Sequence, residues 1–316
     1  MSPIAETILF VFGLVAAGYL SGLLGYLKVE VGDAVAEFAV SVALPLLLFR
    51  TMLGADFHGA APWALWACYF TAVIVTWTAG HLMTTRVFGR DPKAGVVGGV
   101  TAAFSNLVLL GIPFMLGVYG QEGFEVLSLL VSVHLPTMIA ASIVMFEWAS
   151  RSDGEGRSLG ELGRTFLRRM FTNPLIIGIL LGLAFRALGF TLPALAMRFV
   201  DSLANVAGPI ALFAMGLSLR KYGVGRNVPA GAALSALKLL LMPAVVLGMA
   251  WLLDLPPMTA KVAVAAAALP AGVNSYLIAM QFGTGQALAS NAMTIGTAAA
   301  VGSTAMWLAI AQMVFG

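Results

Sequence analysis

Long runs of hydrophobic positions, separated by short polar stretches, occupy almost the whole chain. A membrane-spanning α-helix needs about 20 predominantly apolar residues. Ten stretches approach or exceed that length, near residues 4–25, 34–54, 62–85, 94–118, 124–148, 172–190, 199–219, 230–253, 259–281 and 288–315. They are continuous, not alternating, which favours helices over membrane strands. The pattern predicts an all-α polytopic membrane protein with ten transmembrane helices.

Composition supports this assignment and excludes several classes of protein. Of 316 residues, 60% are hydrophobic and 10% are charged, whereas soluble domains are about 45–50% apolar and about 25% charged. A cytosolic enzyme, a nucleic-acid binder and a secreted disulfide scaffold are therefore excluded, and the lipid bilayer is an expected partner. Cys68 is the single cysteine, so we expect neither a disulfide nor a thiolate metal site, and no cofactor.

The distribution of lysine and arginine predicts the orientation. The loops after spans 1, 3, 5, 7 and 9 carry twelve basic residues, and the opposite side carries four. Because basic loops remain in the cytoplasm, we expect a cytoplasmic-membrane protein with both termini outside the cytoplasm. The longest polar segment, 149–171, contains a flexible joint at 152–157 and then apolar residues at helical spacing. It predicts either a short interfacial helix or a basic linker that serves only topology.

Four landmarks recur between the two halves of the chain. Residues 42–49 match residues 206–213 at five of eight positions. Three single residues recur as well: Pro62 as Pro229, Lys93 as Lys261, and Asn106 as Asn274. The offsets are 164, 167, 168 and 168. Since each half holds five spans, the second half would be inverted, as in many secondary transporters. The predicted domains are residues 1–148, a linker at 149–171, and residues 172–316.

Spans 4 and 9 each combine a proline, a glycine and a Ser/Asn pair near the middle of the bilayer. Proline removes a backbone donor and glycine weakens a helix. A proline kink would explain either span alone, but corresponding interruptions in both halves indicate a binding site. We therefore predict two crossing broken helices that bind an anion through helix N-termini. The predicted substrate-binding residues are Ser105, Asn106, Gly111, Pro113, Pro270, Gly272, Asn274 and Ser275.

Ordered motifs along the chain resemble those of the auxin efflux carrier family. They are Val42–Phe49, Ser105–Asn106, Gly111–Pro113, Tyr119–Gly123, Asn173–Gly178, Pro209–Leu219 and Leu269–Tyr276. The chain is similar to prokaryotic, malonate-transporter-like permeases of that family. The resemblance implies the fold of bile-acid/sodium symporters, with spans 1, 2, 6 and 7 as a scaffold and spans 3–5 and 8–10 as a mobile transport domain. A homodimer through the scaffold would suit such a mechanism, although no residue specifies one.

Polar residues elsewhere in the spans suggest a role in ion or proton coupling. Lys238 lies about 12 Å deep at 1.5 Å per residue. It would either snorkel to the inner surface or pair with a carboxylate, the substrate or an ion-site oxygen. His134 would pack in the core or relay protons. Asn291 and Thr294 would face the broken helices or join helices together. No Asp or Glu lies centrally in span 4 or 9, so coupling to Na⁺, to H⁺ or to neither remains open.

The leading hypothesis is a secondary transporter of a small organic anion, a mono- or dicarboxylate resembling malonate or auxin, with an elevator-type alternating-access mechanism. The alternative is a sodium- or proton-coupled symporter of a larger amphipathic acid, such as a sterol- or indole-type anion. A membrane-embedded enzyme is disfavoured because the chain has neither a zinc motif nor paired carboxylates within its spans. Saturable counterflow would distinguish a transporter from a passive channel.

Overall fold

The computed structural model describes residues 3–54, 62–150, 160, 163–164, 167–168, 171–222 and 228–316. Within these residues the main helices are α1 Pro3–Leu23, α2 Val29–Phe38, α3 Leu44–Gly54, α4 Trp63–Leu82, α5 Pro92–Ala103, α6 Ile112–Ser150, α7 Pro174–Ala187, α8 Ala194–Tyr222, α9 Val228–Ala236, α10 Met242–Leu252, α11 Pro257–Ala268, α12 Val273–Phe282 and α13 Gln286–Phe315. Wider π-helical turns occupy Ala39–Ala43, Met83–Val87, Leu107–Gly111 and Leu237–Leu241. The chain is thus all-helical over the part described.

Seven helical stretches of the described residues are long and apolar enough to cross a membrane. They are Glu6–Leu23, Glu30–Gly54, Trp63–Val87, Leu107–Ser150, Ala194–Arg220, Val228–Leu252 and Gln286–Phe315. The predicted span at 172–190 corresponds to α7, which has only 14 residues. The predicted spans at 94–118 and 259–281 are interrupted, as described below. The structure therefore supports about seven candidate spans, and the count of ten stays a prediction.

The longest stretch, Leu107–Ser150, is not one straight helix. Gly120 has φ 63° and ψ −152°, a left-handed conformation that glycine adopts without the steric cost of a Cβ. Helical segments therefore lie on both sides of Gly120, which agrees with the predicted boundary between the stretches at 94–118 and 124–148.

The contacts divide the chain into two compact units. The first comprises Met1–Ala60, Val108–Ser132 and Thr165–Lys221, and the second comprises Ala61–Leu107, Val133–Arg164 and Tyr222–Gly316. In the first unit, Gly178 of α7 lies so close to the Pro45 carbonyl of α3 that a Cβ would overlap it. In the second unit, α5 packs on α4, and α13 packs on α9 and α11. Small residues permit such close helix contacts in membranes.

Part of the predicted linker cannot be compared with the structure. Leu159, Leu162, Phe166 and Met170 of the predicted interfacial helix lie outside the described residues, as does the predicted joint at 152–157. Asn173, just after the linker, caps α7 because its side chain accepts a hydrogen bond from the Leu175 amide at 2.9 Å. The second half of the chain therefore begins its first helix with a well-formed N-cap.

Candidate binding site at two interrupted helices

The first interruption follows α5 in the second unit. The helix begins with Asp91, whose carboxylate accepts the Ala94 amide at 2.9 Å, and with Pro92 at a position where its missing donor costs nothing. It ends at Ala103, because Phe104 leaves the helical region with φ −86° and ψ 92°. Helical structure resumes at Leu107 with the π-helical turn Leu107–Gly111. The break therefore falls on the predicted Ser105–Asn106 pair.

The second interruption follows α11 in the same unit. Leu269 has φ −67° and ψ 148°, the extended conformation that a following proline imposes. The next helix, α12, starts at Val273 with Gly272 as its N-cap. Residues 269–272 therefore separate two helical segments of 12 and 10 residues. This break coincides with the predicted Pro270 and Gly272.

Backbone hydrogen bonds join the two interruptions. Ser105 and Ala271 form an isolated antiparallel bridge. The Asn106 amide donates to the Pro270 carbonyl at 2.9 Å, and the Gly272 amide donates to the Phe104 carbonyl at 3.1 Å. A backbone group freed in the hydrocarbon region costs several kcal/mol unless it finds a partner. Each break thus satisfies polar groups that the other break releases.

Polar side chains lie next to this bridge. The Tyr69 hydroxyl donates to Ser105 Oγ at 2.8 Å, and Ser105 Oγ lies 3.9 Å from the Met242 sulfur. Asn106 and Ser105 are buried, with 5% and 2% of their surface exposed. Buried neutral donors beside a helix end can hydrogen-bond a carboxylate without a permanent positive charge.

The residues that follow the second break form the first turn of α12. Asn274 is half-buried. Ser275 is buried, and its hydroxyl donates to the Gly272 carbonyl at 2.7 Å. The first amides of a helix lack acceptors within the helix itself, so this turn offers N–H groups and the positive end of a dipole.

Not all predicted binding residues belong to this arrangement. The structure brings Ser105, Asn106, Pro270 and Gly272 together, and the Asn274–Ser275 turn follows directly. Gly111 ends the π-helical turn at Leu107–Gly111 and, like Pro113, belongs to the first unit. Pro113 lines a cavity of about 320 Å³ within that unit.

Lys238 lies on the π-helical turn Leu237–Leu241 and is 1% exposed. Its amine nitrogen donates a hydrogen bond to the Ala267 carbonyl in the last turn of α11. The side chain therefore points to the end of an interrupted helix and does not snorkel to a membrane surface.

The other candidates for coupling occupy packed positions. His134 is 2% exposed, and its ring makes edge-to-face contacts with Tyr69 and Phe104, at centroid distances of 5.5 and 4.9 Å. Asn291 is fully buried on α13 against Gly231 of α9. Thr294, also on α13, is half-buried. His134 therefore belongs to the aromatic surroundings of the first break.

Sequence reasoning did not identify three residues that contact the interrupted segments. Tyr69 bonds Ser105, Met242 lies beside it, and the Thr304 hydroxyl donates to the Ala268 carbonyl at 3.3 Å. A tyrosine in the middle of a span was an available signal, because a buried hydroxyl requires a partner. For the methionine and the threonine the apolar pattern carries no comparable signal.

Comparison with known proteins agrees with these observations. The family described as "Membrane transport protein" matches residues 3–308. An "Uncharacterized transporter" of Methanothermobacter thermautotrophicus is 26% identical over 87% of this chain and 88% of its own length. A Rhizobium meliloti protein named "Putative malonate transporter" is 26% identical over 92% of this chain and 90% of its own length.

A mouse protein named "Lysosomal cholesterol signaling protein" is 26% identical over 66% of this chain. The matched region covers 25% of the length of the mouse protein. The family match extends over nearly the whole chain. An all-helical, multi-pass chain with this match is a transporter and not an enzyme. The chain belongs to the membrane transport protein family, which is the auxin efflux carrier family.

Proposed function

We propose that the protein is a secondary transporter that moves a small organic anion, a mono- or dicarboxylate resembling malonate or an auxin-like weak acid, across the cytoplasmic membrane. The observation that carries the proposal is the pair of helix interruptions that hydrogen-bond to each other. One lies between α5 and the π-helical turn at Leu107, and the other lies between α11 and α12, with buried Ser105 and Asn106 in the first. The name of the Rhizobium meliloti relative supports the substrate class.

The proposed substrate site uses neutral donors and helix ends. A carboxylate would accept hydrogen bonds from Asn106 and Asn274 and from the first turn of α12, where the helix dipole favours negative charge. The buried Ser105 would complete the donor set by turning its O–H from the Met242 sulfur to the substrate, while its oxygen keeps the hydrogen bond from Tyr69. A site of this kind binds the anion without the desolvation cost of a deep arginine.

The proposed architecture is two inverted five-helix repeats whose broken helices cross at the Ser105–Ala271 bridge. The equal offsets of 168 residues for the lysine and asparagine landmarks support it, as do interruptions at corresponding places in the two halves. Inverted repeats with broken helices at their interface are common among secondary transporters.

The proposed mechanism is elevator-type alternating access, with spans 3–5 and 8–10 moving against spans 1, 2, 6 and 7. The division of contacts supports it, because α1–α3 and most of α7–α8 fall in the first unit, while α4–α5 and α9–α13 fall in the second. Residues 108–132 belong to the first unit, which differs from the division that the family resemblance implies. The excess of basic residues in alternate loops supports a cytoplasmic location for those loops.

Uptake by purified protein in proteoliposomes tests this proposal. We expect saturable uptake and counterflow of a small carboxylate such as malonate, and a loss of about 10- to 100-fold in Asn106→Ala and Asn274→Ala, since a hydrogen bond to a charged group contributes about 1.5–3 kcal/mol. Gln312→Ala is the control, because Gln312 is an exposed side-chain amide near the end of α13, away from both interruptions along the chain. We expect its uptake to equal that of the wild type.

The panel of competitors separates the substrate classes. Larger amphipathic acids, including a sterol acid and an indole acid, are tested with and without Na⁺ and pH gradients. Normal uptake by both asparagine variants would contradict the site, provided that they elute and melt like the wild type. Absence of counterflow with every carboxylate would contradict the transport function.

A further inference from the structure

The carbonyl groups at the end of α11 have lost their usual donors. Ala266–Ala268 would accept from residues four positions further along an uninterrupted helix. Pro270 has no N–H, and the Gly272 amide donates to Phe104 instead. The negative end of the helix dipole therefore lacks its usual main-chain donors at this point within the second unit.

Two side chains from distant parts of the sequence bind these carbonyls. Lys238 donates to the Ala267 carbonyl, and Thr304 donates to the Ala268 carbonyl at 3.3 Å. The turn that carries Lys238 is itself held in place, because Trp307 Nε1 donates to the Leu239 carbonyl at 2.8 Å. The lysine is thus directed at the helix end by a supported π-helical turn.

Lys238 has this position without a carboxylate. Among the residues that the structure describes, the Lys238 amine bonds the Ala267 carbonyl and no carboxylate, and no group of three or more His, Cys, Asp or Glu side chains is arranged to hold a metal. The lysine amine is therefore opposed by carbonyl dipoles and not by a carboxylate. Unwound carbonyls and helix C-termini are the groups with which secondary transporters coordinate Na⁺.

We propose that the ammonium of Lys238 is a built-in cation, which occupies the place where Na⁺ would otherwise bind at the end of α11. The transport cycle then needs no Na⁺, and removing the amine creates a vacant, carbonyl-lined site for a small monovalent cation. The uptake arm of the test rests on the proposed transport function. The binding arm does not, because it measures cation-dependent stability of the purified protein.

The binding arm compares thermal unfolding in NaCl and in N-methyl-D-glucamine chloride at equal ionic strength. We expect the melting temperature of the wild type to be the same in both salts. Lys238→Ala should melt lower in the organic salt and be restored by several degrees in NaCl or methylammonium chloride, since a ligand that binds the folded state raises its stability. Lys238→Arg retains the charge and should show no response to Na⁺.

Lys261→Ala is the matched control. Lys261 lies on the same helix, α11, and its amine contacts Gln312 at 3.4 Å. We expect no response of this variant to Na⁺, because its side chain is not at the interrupted end of the helix.

The uptake arm compares the same proteins with and without a Na⁺ gradient. Wild-type uptake should be independent of Na⁺. The proposal is overturned if Na⁺ stimulates wild-type uptake or raises the wild-type melting temperature. Both measurements use only the wild type, so they decide even if Lys238→Ala does not fold. It is also overturned if Lys238→Ala is as stable as the wild type in both salts. If no anion is transported, the proposed function fails, and the unfolding comparison still decides the cation inference.

Discussion

Replacing Gly272 by valine tests the hydrogen-bonded junction between the two interrupted helices. A Cβ at Gly272 would lie 3.3 Å from Asn106 Cα and 3.5 Å from Asn106 Cβ. The contact with Cα is tight and the contact with Cβ is an ordinary van der Waals contact. A Cβ alone therefore fills the space, and the two γ-carbons of valine require the segments to separate. Separation lengthens both hydrogen bonds, from Asn106 to Pro270 and from Gly272 to Phe104.

The expected loss of stability follows from these contacts. A net hydrogen bond contributes about 1 kcal/mol, and inserting carbon into a packed region costs about 1–3 kcal/mol. Two weakened bonds and the overpacking together predict a loss of about 3–5 kcal/mol for Gly272→Val. At roughly 2–4 °C per kcal/mol for a unit of this size, the apparent melting temperature should fall by about 6–20 °C.

Thermal unfolding of the detergent-solubilised protein, followed by circular dichroism, measures this effect. Gly248→Val is the matched control, since Gly248 lies on α10 in the same unit and a Cβ there meets nothing within 4 Å. The control should melt close to the wild type. If Gly272→Val melts at the same temperature as Gly248→Val, the junction does not contribute to stability, and the reasoning from its hydrogen bonds is refuted.

Two further predictions concern packing and the Ser105 hydroxyl. Gly216→Val should destabilise the first unit by at least about 1–3 kcal/mol, because a Cβ at Gly216 would overlap the Val15 carbonyl. Gly13→Val is the control, since Gly13 lies on the same helix as Val15 and a Cβ there meets nothing within 4 Å. Equal melting temperatures of the two variants would contradict the prediction. Tyr69→Phe should lower the free energy of unfolding by about 1 kcal/mol. Ser105→Ala should lower it more, by about 1–3 kcal/mol, since the alanine leaves the buried Tyr69 hydroxyl without an acceptor. If chemical denaturation shows the larger loss for Tyr69→Phe, the hydrogen bond from Tyr69 to Ser105 is contradicted.

The positions of both helix interruptions could be predicted from local sequence. Pro270 forces Leu269 out of the helical region, and the polar Ser105–Asn106 pair lies where α5 ends. Short-range sterics and backbone bonding decide such breaks, so a single segment contains the information. The same reasoning placed Gly111 and Pro113 with the binding residues. Their assignment to the first unit depends on packing with residues far away in sequence.

Hydropathy predicted where apolar segments lie more reliably than how long each helix is. The stretch at 172–190 forms a helix of only 14 residues, and the segments at 94–118 and 259–281 are divided by their interruptions. Hydropathy measures preference for lipid, whereas a helix ends where its backbone groups obtain other partners.

The amino-acid sequence by itself determined that the chain is helical and membrane-embedded, because composition decides that property. It also determined where the helices are interrupted after α5 and after α11, because local backbone restriction decides those breaks. Only the tertiary structure decided which partners the broken segments acquire. The Lys238 amine meets Ala267 across 29 positions, and the Tyr69 hydroxyl meets Ser105 across 36. A buried polar group must find a partner, but hydropathy does not specify which distant residue provides it.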